Sequence, residues 1–209
     1  MKPTRNYYLK KMFYAFILTN IMFLIIILTS LSVSYLNYNN IKSKNSVILE
    51  SLNKINQLSI LNCDDSVLLK ASELLDETGI KINLLEIRFR KDDYRVLEQK
   101  SIYTALELKH YELIKKLKTE CEKDFVTILF FYSNKKEIQE ESEKVGFILS
   151  TFKNTAPERI MVYSFDADLE SEHIKKIKEK YSIEKTPIVI INEKESIEIS
   201  NIRDLERYL

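Results

Sequence analysis

Phe125-Val-Thr-Ile-Leu-Phe-Phe-Tyr132 breaks a chain that reads as helix up to that point. It carries no charge, is rich in β-branched and aromatic residues, and lies between Asp124 and Ser133. A continuous apolar run of this length, rather than an alternating one, is what a strand buried on both faces requires. Downstream of it the pattern alternates between helix and strand. A helix is expected over 136–153, turning Ile138, Val145, Ile148, Leu149 and Phe152 inward. Arg159–Phe165 reads as a second strand, and 169–181 as a helix burying Ile174, Ile177 and Tyr181. Pro187-Ile-Val-Ile-Ile191 reads as a third strand, turning through 192–195 into 196–199. Asn201 can cap a short last helix bearing Ile202, Leu205 and Leu209. The order β-α-β-α-β-β-α predicts an α/β domain over 122–209 with a central sheet flanked by helices.

Upstream, 47–121 reads as helical. Ile48, Leu52, Ile55, Leu58 and Ile60 follow helical spacing, Cys63-Asp64-Asp65 interrupts it, and Val67, Leu68, Ala71, Leu74 and Leu75 resume it. The second of these helices is expected to stop at Gly79. From Ile80 to Glu120 apolar residues recur every three or four positions, with a turn or kink at Lys91-Asp92-Asp93. His110 lies among Lys and Glu and reads as a surface residue. Such helices must pack on one another, on the following domain or on a partner.

Residues 37–46 are polar and read as a linker, and before them lies the most apolar stretch of the chain. From Met12 to Ile41 no residue is charged. About 20 apolar residues, at 1.5 Å each, cross a hydrocarbon core of about 30 Å. A transmembrane anchor is therefore expected over 12–36, held by membrane lipid, with a tail at 1–11. Lys2, Arg5, Lys10 and Lys11 precede the run without an acidic residue, which favours a cytoplasmic N-terminus and an extracytoplasmic soluble part. The run is longer than a cleaved signal segment and no Ala-x-Ala site follows, so an uncleaved anchor is the preferred reading. Asn20 is taken as a tolerated polar residue within it.

Composition narrows the functions. Lys and Arg number 32 against 31 Asp and Glu, leaving no net field to recruit nucleic acid. The two glycines, Gly79 and Gly146, form no phosphate cradle, and no small-molecule cofactor is expected. Asp166, Asp168, Glu170 and His173 follow the second strand where a hard cation could bind, but helix-capping acids explain them better, and no metal site is expected. The two histidines support no Ser/His/Asp set, and no catalytic residue is assigned. Cys63 and Cys121 are the two cysteines; they read equally as a disulfide or as two half-buried thiols. A bond closing that loop would stabilise the fold by about 4 kcal/mol on the chain-entropy account.

Tyr181-Ser-Ile-Glu-Lys-Thr-Pro-Ile-Val-Ile-Ile191 resembles the thioredoxin segment in which a loop delivers a cis-proline into a strand, with Thr186-Pro187 at the matching place. Phe130-Phe-Tyr-Ser133 resembles the strand end that leads to that family's redox motif. The resemblance covers 125–209. It implies a thioredoxin fold and extended-peptide binding at Thr186, Pro187 and Ser133. The sequence departs from the family where Cys-x-x-Cys should stand, because Ser133-Asn-Lys-Lys-Glu-Ile-Gln-Glu-Glu-Ser142 carries no cysteine. Without a thiolate there is no mixed disulfide. The expectation is a membrane-anchored, redox-inactive module that binds a protein or peptide partner. A thiol–disulfide oxidoreductase using Cys63 and Cys121 as a non-adjacent pair is the alternative.

Overall fold

The apolar run forms β1 (Val126–Tyr132), an inner strand with neighbours on both sides. In the computed structural model, residues 5–62 and 66–208 are described. Among them the chain is a mixed α/β protein with a four-stranded sheet and six helices. Before β1 come α1 (Arg5–Asn62), α2 (Ser66–Phe89) and α3 (Tyr94–Glu120). After it come α4 (Gln139–Lys153), β2 (Ile160–Asp166), α5 (Glu172–Lys180), β3 (Ile188–Ile191), β4 (Glu195–Ile197) and a final 3₁₀ helix (Ile202–Tyr208). Two compact units divide at Asn40–Ile41.

In the first unit, the helix from Tyr8 onward is long and apolar enough to cross a membrane. Thr19 Oγ1 donates to the Ala15 carbonyl at 2.9 Å, and Asn20 Nδ2 to the Phe16 carbonyl at 2.8 Å. Both polar side chains are thereby satisfied within their own helix, as an apolar solvent demands. Residues 37–46, expected as a linker, are helical, because neither Gly nor Pro occurs between Pro3 and Gly79 to break the ladder. The side chains of 47–61 and Cys63 lie outside the described residues.

In the second unit the sheet order is β2-β1-β3-β4. β1 runs parallel to β2, pairing Val126 with Ile160 and Tyr132 with Asp166. It runs antiparallel to β3, pairing Phe131 with Ile188. β3 and β4 form a hairpin, and the Thr186–Pro187 peptide bond is cis. Alternate residues of β1 feed two cores. Leu129 and Phe131 join Met161, Tyr163 and Phe165 under α2, α3 and α5. Val126, Ile128 and Phe130 join Val189 and Ile191 under α4 and the 3₁₀ helix. Val145, Leu149 and Phe152 of α4 and Ile174 and Ile177 of α5 are buried as their spacing predicts.

Gly79 does not end α2, which continues for ten further residues to Phe89. Its role is spatial. A Cβ there would come within 2.9 Å of Tyr103 Oη, which donates to the Leu75 carbonyl at 3.0 Å. The missing side chain lets α3 lie close against α2. The break between them falls at residues 90–93, where Asp93 caps α3 by accepting from the Arg95 N–H. Gly79→Leu is expected to lower the unfolding free energy by about 1–3 kcal/mol through overpacking. Gly79→Ala, which gains helix propensity, should cost less. Urea midpoints at unchanged slope would measure both.

Candidate functional site

The edge of the sheet where β1 and β2 end and β3 begins is the place where an open α/β sheet gathers its chemistry. The register carries Tyr132 to Asp166 on one side and Phe131 to Ile188 on the other, so Ser133, Asp166 and Pro187 share this edge. Lys100 of α3 reaches into it. Its ammonium is 5% exposed, pairs closely with Asp166, and stands 2.7 Å from Glu86 Oε1 of α2 and 5.3 Å from the centroid of the Tyr132 ring. Burial pulls the Lys100 ammonium downward, but Tyr132, Asp166 and Glu86 outweigh it and hold its pKa above the ordinary value. For Tyr132, burial is the larger influence and raises the phenol, with Lys100 opposing.

The loop after β1 is tied to the same acids. Asn134 Nδ2 donates to Asp166 Oδ2 at 2.7 Å, and the Asp168 N–H to Asp166 Oδ1 at 3.0 Å. Asp168 Oδ2 accepts from Ser133 Oγ at 2.6 Å and from the Asn134 N–H at 3.0 Å, with Lys135 Nζ at 3.2 Å from Oδ1. Burial works to raise the Asp168 carboxyl, yet these donors hold it below its usual range. Ser133, expected to face a ligand, is buried and committed to Asp168, while its N–H donates to Ser142 Oγ at 3.2 Å. Thr186 is half-buried and Pro187 buried. Lys100 is charged and so offers no lone pair, and Asp166 already serves it. The edge is a polar latch.

A second cluster lies between α2, α3 and β2, where His110 corrects its sequence reading. The ring is 1% exposed, with Nε2 2.9 Å from Ser72 Oγ and 3.2 Å from the Leu68 carbonyl, and Nδ1 2.8 Å from Tyr163 Oη. The Leu68 carbonyl can only accept, so Nε2 carries the hydrogen and Nδ1 accepts from the tyrosine. In that tautomer His110 cannot take a proton from Ser72, and the pair is no nucleophile. Burial brings the His110 pKa down to about 4, opposed by the Leu68 carbonyl and assisted by Lys153. Beside it Glu107 is buried, with Oε1 accepting from the Ser164 N–H at 3.0 Å and Oε2 without a hydrogen bond. Burial raises this carboxyl well above its ordinary range. Lys153 and Asp76, paired with each other, line the same cavity as these groups.

Sequence spacing contained this cluster. His110 stands four residues from Leu106 and from Ile114 and seven from Leu117, all buried. Its charged neighbours concealed it. Lys100, four residues after the buried Val96, carried the same signal.

Cys121 caps the C-terminus of α3, half-buried and disulfide-bonded. The pairing considered for it involves Cys63, which lies outside the described residues. Among the described residues no group of three or more His, Cys, Asp or Glu is arranged to hold a metal. No protein-family model, curated protein or solved structure matches this chain.

Lys100→Met leaves two carboxylates without their cation and is expected to cost about 3–5 kcal/mol of stability, measured by urea unfolding at neutral pH. The inner cluster gives a pH dependence with two opposed arms. A His whose folded pKa is depressed to about 4 withdraws stability as pH falls from about 6.5 toward 4. A carboxyl whose folded pKa is raised withdraws stability as pH rises above about 4.5. Glu107→Gln keeps the acceptor for Ser164 and removes the second arm. Relative to the parent it should gain stability as pH rises above about 4.5, by at most about 1.4 kcal/mol per pH unit. A pH-independent difference in the unfolding free energies would contradict this.

Proposed function

We propose that this chain is a membrane-anchored, redox-inactive thioredoxin-like protein whose soluble part binds a protein or extended peptide at the sheet edge near Thr186 and Pro187. The observation that carries this reading is the loop after β1: Ser133 and Asn134 are occupied with Asp166 and Asp168, and no thiol stands there. Support for the scaffold comes from the β2-β1-β3-β4 order, with β1 parallel to β2 and antiparallel to β3. It comes also from the covering of the two sheet faces by different helices. Residues 12–36 are the anchor in this reading. The basic residues that precede them favour a cytoplasmic N-terminus and an extracytoplasmic soluble part.

The chemistry argues against an exchange enzyme built on Cys121. A reactive thiolate needs an electropositive, accessible setting. The C-terminal end of a helix, where Cys121 sits half-buried, carries the opposite partial charge and disfavours an anion. The cysteine is bonded rather than free, which fits a staple.

Disulfide reduction of insulin by the full chain in detergent should stay at the uncatalysed rate. Alkylation without reductant should label no cysteine, and after reduction it should label both. Insulin turnover, or a thiol that alkylates rapidly in the unreduced protein, would replace this reading by the enzymatic one.

A further inference from the structure

We propose that the turn between α2 and α3, residues 87–95, rests on the bilayer surface, with Ile87 and Tyr94 in the interfacial layer and its cations on anionic phospholipid headgroups. The inference rests on the anchor reading and adds a contact to it. Ile41 stands five residues beyond Leu36, where the expected anchor ends. It is fully buried against Ile82, Leu85 and Val96, with Phe89 packed on the same cluster. The chain therefore enters its second unit beside the C-terminal part of α2 and the first turn of α3. The turn joining those helices lies at the end of the second unit where the chain enters it.

That end presents the residues an interface selects. Ile87 is 76% and Tyr94 74% exposed, and Leu84 adds to the apolar surface one turn before Ile87. These positions follow the helical pattern of α2 and α3, yet no described residue covers them. A tyrosine with its ring in the acyl boundary and its hydroxyl in water is a usual membrane-interface residue. Around them stand Arg88, Arg90, Lys91 and Arg95 against Asp92 and Asp93. Arg90 pairs with Asp92 in full exposure. Arg95 pairs with Asp93 and stacks 3.8 Å from the Phe89 ring centroid. Lys91 donates to Asn134 and lies 3.6 Å from Glu143. The excess of cations, on long aliphatic stems, suits an anionic surface.

The chain contains no tryptophan, so one substitution creates a sole reporter. The full chain would be reconstituted in vesicles of phosphatidylcholine and phosphatidylglycerol whose acyl chains are brominated near the headgroup. Tyr94→Trp and Ile87→Trp should each lose emission relative to unbrominated vesicles. Lys194→Trp, exposed in the β3–β4 turn beside Glu193, which Lys115 near the far end of α3 contacts, should keep its emission. Replacing phosphatidylglycerol by phosphatidylcholine should weaken the quenching at residue 94. Phe23→Trp, with bromines deep in the acyl chain, reports the anchor separately. Quenching at 23 without quenching at 87 and 94 overturns the docked turn and leaves the anchor standing. No quenching at any of the three overturns both. Equal quenching at 94 and 194 overturns the assigned surface, and quenching indifferent to lipid charge overturns the headgroup contact.

Discussion

A strand that is apolar on both faces must be covered on both faces, and β1 imposes that requirement on everything around it. Its residues feed two cores, and neither can form without helices supplied from elsewhere in the chain. One face takes α4 and the final 3₁₀ helix, which are close to β1 in sequence. The other takes α5 together with Leu68, Ala71 and Leu75 of α2 and Leu106, Leu113, Ile114 and Leu117 of α3. The α2–α3 hairpin is thus part of the same folded body as the sheet. It uses Gly79 to bring its helices together at Tyr103.

Polar side chains fix how that hairpin lies. At the sheet edge Lys100 sits between Glu86 and Asp166, so one ammonium ties α2, α3 and β2. Further along α3, Glu107 and His110 meet β2 through Ser164 and Tyr163. Near its end, Lys115 Nζ contacts Glu193 at 2.8 Å, and Tyr111 bonds to Tyr181, which donates to the same carboxylate. Burial resists ionisation of Glu193, but these donors bring it down to about 2. Buried polar contacts such as those of Lys100 and His110 add little net stability, but they form in one register of helix on sheet. At the sheet edge Ser133, Asn134, Asp166 and Lys100 are committed to contacts that hold the protein together.

Much of this was legible in the sequence. The β1 run, the alternation of helix and strand after it, and the inward residues of α4 and α5 follow from apolar period alone. The long apolar helix was equally plain. What escaped was decided by tertiary contact. Gly79 looked like a terminator because a glycine ends many helices, yet here it answers a close approach by Tyr103. Residues 37–46 looked like a linker because they are polar, but polarity does not break a helix that lacks Gly and Pro. His110 looked like surface because its neighbours are charged, and Lys100 and Glu107 drew no reading, although their spacing places all three on the stripe of Val96, Leu106 and Ile114. Polar residues on a buried face are explained by partners distant in sequence, such as Tyr163, 53 residues from His110, and Asp166, 66 residues from Lys100.

The shared core makes the α2–α3 hairpin and the sheet one cooperative body, joined across α3 and β1. Native-state hydrogen exchange of the full chain under increasing denaturant addresses it directly. Amides of α3 between Leu106 and Leu117 and those of β1 should exchange through one opening, with the same free energy and the same denaturant slope. A hairpin that opens at markedly lower free energy while β1 stays protected would contradict the account.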